Sequence, residues 1–394
     1  MGTFVQAPGM DPRTRKPAMA AVVLVGAAVV LQLASSLSPA VADAYARWAG
    51  PLISRVLTGV SRWVPVSLTD FVEGGAIVAL LWWIVVAVRR VRAAEKPKLP
   101  VLWTIVAEAW VIVGALHLSF LLLFGIGYGR PGLAERMGWD IADDSREGLI
   151  ASGEELVGHV NGLYLAIHGS EDGGEPTGTG VDPRTFDAAL RASWPTAGAA
   201  MGMAPGELFD RGPTKPLLSS PIYSKLLIAG IYFPYTGEAN INMQGPVWQQ
   251  PLTRAHEMAH QRFFYDESDA NFAGFLACVA ADDPLVRYGG WLFAQRQVLK
   301  QLQRQDPELA LELVRRRHPG VQRDVTFAVT FWRSHVGKAS GVSQKVNDAY
   351  LKANGISDGV QAYGRSVRLL QYWLADCGGV AECDPLREPT PSSP

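Results

Sequence analysis

Three long apolar segments in the first third of the chain constrain its fold more than any other feature. The first runs from Ala18 to about Leu37 without a charged residue, the second from about Phe71 to Val88, and the third from about Val101 to Gly125. One bilayer crossing needs about 20 predominantly apolar residues, so each segment is long enough to span a membrane once. We predict three transmembrane helices, at 18–37, 71–88 and 101–125, with the lipid bilayer as a partner.

The basic connection between the second and third segments predicts the orientation. This connection, residues 89–100, carries five positive charges, on Arg89, Arg90, Arg92, Lys96 and Lys98. By the positive-inside rule this loop is cytoplasmic, and so is the tail 1–17. Residues 38–70 then form an extracytoplasmic loop, and the main domain, 126–385, lies outside. The predicted address is the cytoplasmic membrane, multi-pass, with the main domain extracytoplasmic.

The first apolar segment has two interpretations. Arg13, Arg15 and Lys16 precede it, as in a signal peptide. Its length exceeds the usual apolar region of about 7–15 residues, which favours an uncleaved anchor. The small residues of SSLSPAVADA, 35–44, keep cleavage open as an alternative.

Charge and cysteine content exclude some classes of protein. The chain has 36 Lys and Arg against 37 Asp and Glu, which gives no reason to expect a nucleic-acid partner. Three cysteines are too few for a disulfide scaffold. Cys377 and Cys383 enclose a short loop that a bridge could close, and Cys278 is expected to be buried in an apolar helix. Residues 386–394 are expected to form a disordered tail.

Residues 256–260, HEMAH, form an H-E-x-x-H motif. On a helix, positions i and i+4 share a face, so His256 and His260 can both present a ring nitrogen to one ion. Imidazoles at that spacing suit Zn²⁺, which a catalytic site holds with three protein ligands. Glu257 lies off that line and is placed to take a proton from a water. The alternative is an ordinary amphipathic helix with two histidines.

A candidate third ligand follows at once. Residues 267–271, ESDAN, read as E-x-x-A-N and enter an apolar helix, 272–280. Helical spacing puts Glu267 and Asn271 on one face, while Asp269 points elsewhere. This spacing favours Glu267 over Asp269 as the ligand and leaves Asn271 able to hydrogen-bond a ligand.

Three long blocks of this sequence resemble one family. HEMAHQRFFYDESDANFAGFLAC, GIYFPYTGEANINM upstream and VNDAYLKANGISDGVQAYGRSV downstream look like the blocks of a bacterial membrane-protein family known as domain of unknown function 3810 (DUF3810). The segment E-x-x-A-N is also similar to the E-x-x-A-D of gluzincin-type zinc peptidases, which implies Glu267 as third zinc ligand. Asn271 replaces the aspartate of that pattern. The downstream block supplies Tyr350, Tyr363 and Arg365 as candidates to stabilise an oxyanion.

A hairpin is predicted just ahead of the motif. Residues 225–233, KLLIAGIYF, are apolar and β-prone, PYTG has turn chemistry, and 238–243, EANINM, alternate. The resemblance implies that the second strand is a cleft wall along which a peptide lies, with Glu238, Asn240 and Asn242 as candidate substrate contacts. The alternative is a structural hairpin that packs under the motif helix.

The predicted fold class is α+β and mostly helical, with three N-terminal transmembrane helices followed by an extracytoplasmic zincin-like metallopeptidase domain with a small sheet. The predicted function is a zinc-dependent metallopeptidase, with one Zn²⁺ per chain on His256, His260 and Glu267, Glu257 as general base, and a peptide or protein substrate. Charged residues around the motif exclude an intramembrane protease. The alternatives are a non-catalytic metal-binding sensor or scaffold and, with little support, a transporter.

Overall fold

The computed structural model describes residues 12–141, 145–169, 174–353 and 363–384. Within these ranges the chain is mostly helical, with one three-stranded sheet and three long apolar helices at its start. This confirms the predicted fold class at that level. The predicted tail, 386–394, lies outside the described residues.

The three apolar helices are α1 (Pro12–Leu37), α4 (Leu68–Ala93) and α5 (Leu99–Leu123). Each is long and apolar enough to cross a membrane, so three predicted spans are confirmed. The second of these helices, α4, extends beyond the predicted 71–88 at both ends. Charged residues, such as Asp70 and Arg90, end the apolar segment but continue the helix. Ser67 caps its start by accepting a hydrogen bond from Asp70 N at 3.4 Å.

Polar side chains within the spans join neighbouring helices. Glu108 of α5 accepts two hydrogen bonds from Arg90 of α4, at 2.7 and 2.9 Å. His117 of α5 pairs with Gln32 of α1 at 2.9 Å between Nε2 and Oε1. These contacts favour a packing role for both groups over an ion pathway.

The connection between the first two spans is helical. It contains α2 (Pro39–Ala44), a π-helical turn (Tyr45–Ala49) and α3 (Gly50–Ser61). Arg211 Nε of the main domain donates to Ser54 Oγ of α3 at 3.1 Å, so this connection packs on the domain. Both therefore lie on the same side of the membrane, as the two spans between them require.

The main domain consists of short and medium helices around α10 and α11. Its helices are α6 (Leu133–Met137), α7 (Arg146–His168), α8 (Phe186–Ala200), α9 (Ser220–Lys225), α10 (Gln250–Gln261), α11 (Glu267–Val279), α12 (Pro284–Gln305), α13 (Pro307–Arg315), α14 (Pro319–Ser334), α15 (Lys338–Ala353), α16 (Tyr363–Cys377) and α17 (Val380–Cys383). A disulfide joins Cys377 to Cys383, and Cys278 is a buried free cysteine.

The sheet has the order β1-β3-β2, with β1 (Lys215–Pro216), β2 (Gly230–Phe233) and β3 (Glu238–Ile241). Strands β2 and β3 form the predicted antiparallel hairpin, with Gly230 opposite Ile241. The parallel partner β1 was not predicted, since two residues carry no periodic signal. It makes β3 the central strand and β2 an edge strand.

Helix α11 is the centre of the main core. All of its residues from Ser268 to Val279 are buried, and it contacts α8, α10, α12 and α16. A helix that is covered on every side has little freedom to shift. Its first residue, Glu267, is therefore held in a fixed position.

A second apolar core joins the membrane spans to the domain. We call it the membrane-proximal cluster; its buried members are Ala28, Tyr45, Ala46, Leu121, Phe124, Ile126, Tyr232, Phe263 and Tyr265. The rings of Phe124 and Tyr265 have centroids 4.6 Å apart. Gly127 permits this packing, because a Cβ there would lie 1.8 Å from Tyr265 Cζ. The domain is thus built directly on the end of the third span.

Candidate metal centre

The two histidines of the motif face each other on α10. Their Nε2 atoms are 3.1 Å apart, and their rings are perpendicular. Helix α11 crosses close behind them at Gly274, where a Cβ would come within 2.9 Å of the His256 backbone nitrogen. A glycine at this crossing lets the two helices approach, which brings the start of α11 to the histidine pair.

Glu267 completes a group of three converging side chains. Its Oε2 lies 3.2 Å from His256 Nε2, and its Oε1 lies 3.7 Å from His260 Nε2. The three residues offer ligand atoms that all lie within 4.8 Å of one another. Across the ranges that the structure describes, no other group of three or more His, Cys, Asp or Glu side chains converges in this way. The Glu267 side chain is 33 % exposed, so the group opens to solvent on its side.

The donor set and spacing fit a zinc ion. Tetrahedral zinc with bonds of about 2.0–2.1 Å separates two ligand nitrogens by roughly 3.3 Å. The 3.1 Å between the histidine Nε2 atoms and the 3.2 Å from His256 to Glu267 are close to that value. His260 Nδ1 lies 2.7 Å from the Phe264 carbonyl, to which it donates, so the Nε2 of the neutral ring is free to bind a metal.

The turn after α10 adopts a strained conformation to reach this arrangement. Phe263 has a φ of 66°, in the left-handed region that a bulky residue rarely adopts. Such a backbone costs about 1–3 kcal/mol and is retained where the surroundings hold it. Phe263 is buried in the membrane-proximal cluster against Gly50 of α3. The turn delivers the Phe264 carbonyl to His260.

Glu257 lies on the other side of the histidine pair, beneath the edge strand β2. A Cβ at Gly230 would come 2.8 Å from Glu257 Oε1, and the backbone N–H of Tyr232 donates to the carboxylate. Burial raises the pKa of Glu257, the charge of His256 opposes the change, and the pKa settles at about 7. This carboxyl can exchange a proton near neutral pH.

In the absence of metal, His256 and Glu267 form an ion pair. Burial lowers the pKa of His256, but the hydrogen bond and charge of Glu267 outweigh burial and raise that pKa to about 9. Burial raises the pKa of Glu267, and the hydrogen bond from His256 overrides it and lowers the pKa to about 2. Burial lowers the pKa of His260. A proton therefore occupies the place that a cation would take.

The side chains of Asn271 and Asp269 point in different directions, as their spacing on the helix predicts. Asn271, one turn after Glu267, contributes a hydrogen bond that helps to raise the pKa of His256. Asp269 points away and accepts a hydrogen bond from Leu133 N at 2.7 Å. Burial, reinforced by the nearby Asp266, raises its pKa to about 7.

The three candidates from the downstream block, Tyr350, Tyr363 and Arg365, have different surroundings. Arg365 donates to Asp266 at 2.9 Å, and Asp266 caps α11 through Ser268 N at 2.8 Å, so Arg365 acts on the helix start. The Tyr350 hydroxyl lies 2.9 Å from that of Tyr128. The side chain of Tyr363 lies outside the described residues.

Tyr128 is a candidate that the sequence did not reveal. Burial raises the pKa of both Tyr128 and Tyr350, and the negative charge of Glu267 raises both further, so the two hydroxyls lie within electrostatic range of that carboxylate. From its position just after the third apolar segment, Tyr128 would be interpreted as an aromatic residue at the membrane interface. The contact joins residues 222 positions apart, so local spacing held no signal for it.

Of the two interpretations of β3, a cleft wall or a structural hairpin, the hydrogen bonds favour the structural hairpin. Glu238 accepts hydrogen bonds from Leu68 N and Thr69 N at 3.2 and 3.0 Å and so caps the second span. Asn240 bonds Ser67 and Thr69, and Asn242 bonds Ser224 and the Ile228 carbonyl. Because β3 is central, its polar side chains hold structure together. The strand beside Glu257 is β2.

Comparison with known proteins gives one match. A family model described as "Protein of unknown function (DUF3810)" matches residues 45–371. No curated protein and no solved structure matches the chain. The matched range contains the second and third spans, the sheet and all residues of the group described above.

Proposed function

The chain belongs to the DUF3810 family, and we propose that it is a membrane-anchored zinc metallopeptidase that hydrolyses peptide bonds outside the cytoplasmic membrane. The observation that carries the proposal is the convergence of His256, His260 and Glu267 with a separate buried carboxyl, Glu257, beside them. A purely structural metal site needs no such fourth group.

The proposed roles follow from position. His256, His260 and Glu267 would hold one zinc ion per chain, and the Phe264 carbonyl fixes the ring of His260. When bound, zinc would lower the pKa of a water and polarise the scissile carbonyl. Glu257 would accept the proton of the attacking water and pass it to the leaving amine, a task that suits its pKa of about 7.

Hydroxyl groups are available where charge develops on the carbonyl oxygen. Tyr350 and Tyr128 lie within hydrogen-bond distance of each other, and the negative charge of Glu267 helps to raise the pKa of both, so both remain protonated donors at neutral pH. We assign Tyr350, the more exposed of the two, to donate to that oxygen, and Tyr128 to position it.

The edge strand β2 supplies a surface for an extended substrate. Its register with β3 leaves one side of the strand unpaired in the sheet, and on that side Tyr232 N–H already meets Glu257. A peptide added along this edge would run past the general base. This arrangement replaces the role that the sequence suggested for β3.

Orientation is part of the same proposal. The basic residues of the connection 89–100 favour a cytoplasmic location for that loop, which supports a domain outside the membrane. Residues 38–67 and the domain pack on each other, which supports a common side for both. A periplasmic alkaline phosphatase reporter fused after residue 130 is expected to be active; a fusion that is active only as a cytoplasmic reporter would overturn this topology.

The test uses the full chain in lipid nanodiscs. We expect elemental analysis to find one zinc per chain and the protein to cleave a library of quenched fluorescent peptides. Glu257→Gln should keep its zinc and lose cleavage, whereas His256→Ala should lose both. Glu308→Gln, in the first turn of α13, is the matched control and should change neither.

Two results separate this function from its alternative. Stoichiometric zinc without cleavage of any peptide, in wild type and Glu257→Gln alike, would identify a non-catalytic metal-binding sensor or scaffold. A well-folded sample with no stoichiometric metal would remove the site altogether.

A further inference from the structure

Helix α3 buries its polar face and exposes its apolar one. Its buried residues are small or polar and recur at helical spacing: Gly50, Pro51, Ser54, Thr58 and Ser61. A helix on the surface of a water-soluble protein has the reverse arrangement, with its apolar stripe toward the core. The environment of the exposed face is therefore not water.

The buried face of α3 is fully engaged with the domain. Ser54 accepts from Arg211, Phe263 lies against Gly50, and a Cβ at Gly237 would come 2.9 Å from Leu57 Cβ. These contacts fix the rotation of the helix about its axis. The apolar face cannot turn inward without breaking them.

The exposed face is a continuous apolar stripe. Its members recur every three or four residues and are between 62 % and 80 % exposed: Trp48, Leu52, Val56, Val60 and Trp63. Tryptophan marks both ends, and this residue is enriched where membranes meet water. Arg55 and Arg62 flank the stripe and turn toward the domain: Arg55 Nη2 donates to the Gly206 carbonyl at 3.1 Å, and Arg62 lies 3.8 Å from Asp210.

The position of α3 in the chain places this stripe at the bilayer. The first span ends at Leu37 and the second begins at Leu68, so the residues between them start and finish at one membrane surface. Helix α3 has 12 residues, about 18 Å, too short to cross. It therefore stays on one side of the bilayer, close to the ends of both spans in the chain.

Two further exposed apolar residues lie near the start of the second span. Leu218 and Ile222 are exposed, although the residues next to them are tied to the start of the second span. Leu218 N donates to Asp70 at 2.8 Å, and Tyr223 donates to Glu73 at 2.8 Å. Exposed apolar side chains therefore surround the ends of the spans.

From these observations we propose that α3 is an interfacial helix, with its Trp48–Trp63 stripe in the lipid of the leaflet that faces the domain. The occupant is the bilayer itself, because the stripe belongs to the connection between two apolar spans and is apolar like their exposed surfaces. The helix supports the domain from below and fixes its height above the membrane. This inference does not depend on the proposed peptidase activity.

Single-cysteine variants in nanodiscs of zwitterionic and anionic phospholipid test the proposal. The only native free cysteine, Cys278, is buried, so L52C, V56C and V60C each offer one accessible thiol for a nitroxide spin label. L311C is the matched control, since Leu311 is also exposed and lies on α13, which packs on α7 and α12. Collisions with oxygen, which concentrates in lipid, are compared with those of a water-soluble nickel chelate.

We expect the ratio of oxygen to nickel collisions to be higher at L52C, V56C and V60C than at L311C. A ratio equal to that of L311C would show that the stripe faces water and would overturn the proposal. Low collision rates with both reagents would show that another protein surface covers the stripe, and would overturn the assignment to lipid.

Discussion

Removal of Glu267 and removal of Asp269 should have opposite effects on zinc, although the two acids lie two residues apart. Glu267 oxygens lie 3.2 and 3.7 Å from the two histidine Nε2 atoms, while Asp269 is bonded to Leu133 N. We predict that Glu267→Ala purifies without zinc and that Asp269→Ala keeps one zinc per chain.

The magnitudes follow from what each group does. Zinc sites with four ligands bind with about 10–16 kcal/mol, so one ligand contributes roughly 2.5–4 kcal/mol, or on the order of 10²–10³-fold in affinity. Loss of Asp269 leaves Leu133 N buried without that acceptor, which costs about 1–3 kcal/mol of folding free energy and not metal. Asp269→Ala should therefore melt earlier with its zinc content unchanged.

The assay is elemental analysis after gel filtration, with competition against a zinc chelator for affinity and thermal melts for stability. Asp269→Asn is the matched control because it keeps an acceptor for Leu133 N. If Asp269→Ala loses zinc and Glu267→Ala retains it, Asp269 is the third ligand and the argument from distances fails.

Three further predictions concern pH, helix packing and the disulfide. The pKa of His256 is raised to about 9 without metal, so zinc must displace a proton from this ring, and zinc affinity should rise about tenfold per pH unit up to pH 9. Calorimetry in two buffers with different ionisation enthalpies counts the released proton. A zinc affinity that does not change with pH would contradict the ion pair between His256 and Glu267. Gly274→Ala should cost about 1–3 kcal/mol of folding free energy in thermal melts and weaken zinc binding, because the added Cβ would meet the backbone of α10. The control Gly158→Ala, where a Cβ meets open space, should be neutral or stabilising. Replacement of Cys377 and Cys383 by Ser should cost about 2 kcal/mol from the loss of one short loop constraint, with zinc content unchanged; equal urea midpoints would refute it.

The convergence of His256, His260 and Glu267 follows from local spacing, which is why the sequence could single these residues out. The i and i+4 positions of His256 and His260 share a face on any helix, and Glu267 is the first residue of the next helix, which starts six residues after the motif helix ends. Tyr128 lay beyond such reasoning, because it follows the third span and feels the charge of Glu267 only through tertiary packing. The sequence also could not predict which strand is central and which lies at the edge, because alternation of apolar and polar residues identifies a strand but not its neighbours.

The spans were equally predictable, but the connection between them was not. Apolar length alone determines a membrane helix, and it predicted all three. Helix α3 is too short to register as a span, and its apolar stripe would suggest a face turned toward the core. Its true orientation depends on Arg211 and Phe263, which lie over 150 residues further along the chain.

The membrane-proximal cluster connects the proposed metal site to the bilayer. Phe263 and Tyr265, which follow the motif helix, share this apolar core with Leu121 and Phe124 at the end of the third span. If zinc binding at the proposed site orders this core, then by linkage a bilayer that stabilises the core strengthens zinc binding by the same factor. The dissociation constant of the proposed zinc site would then be a property of protein and membrane together, and values from different detergents or bilayers should differ.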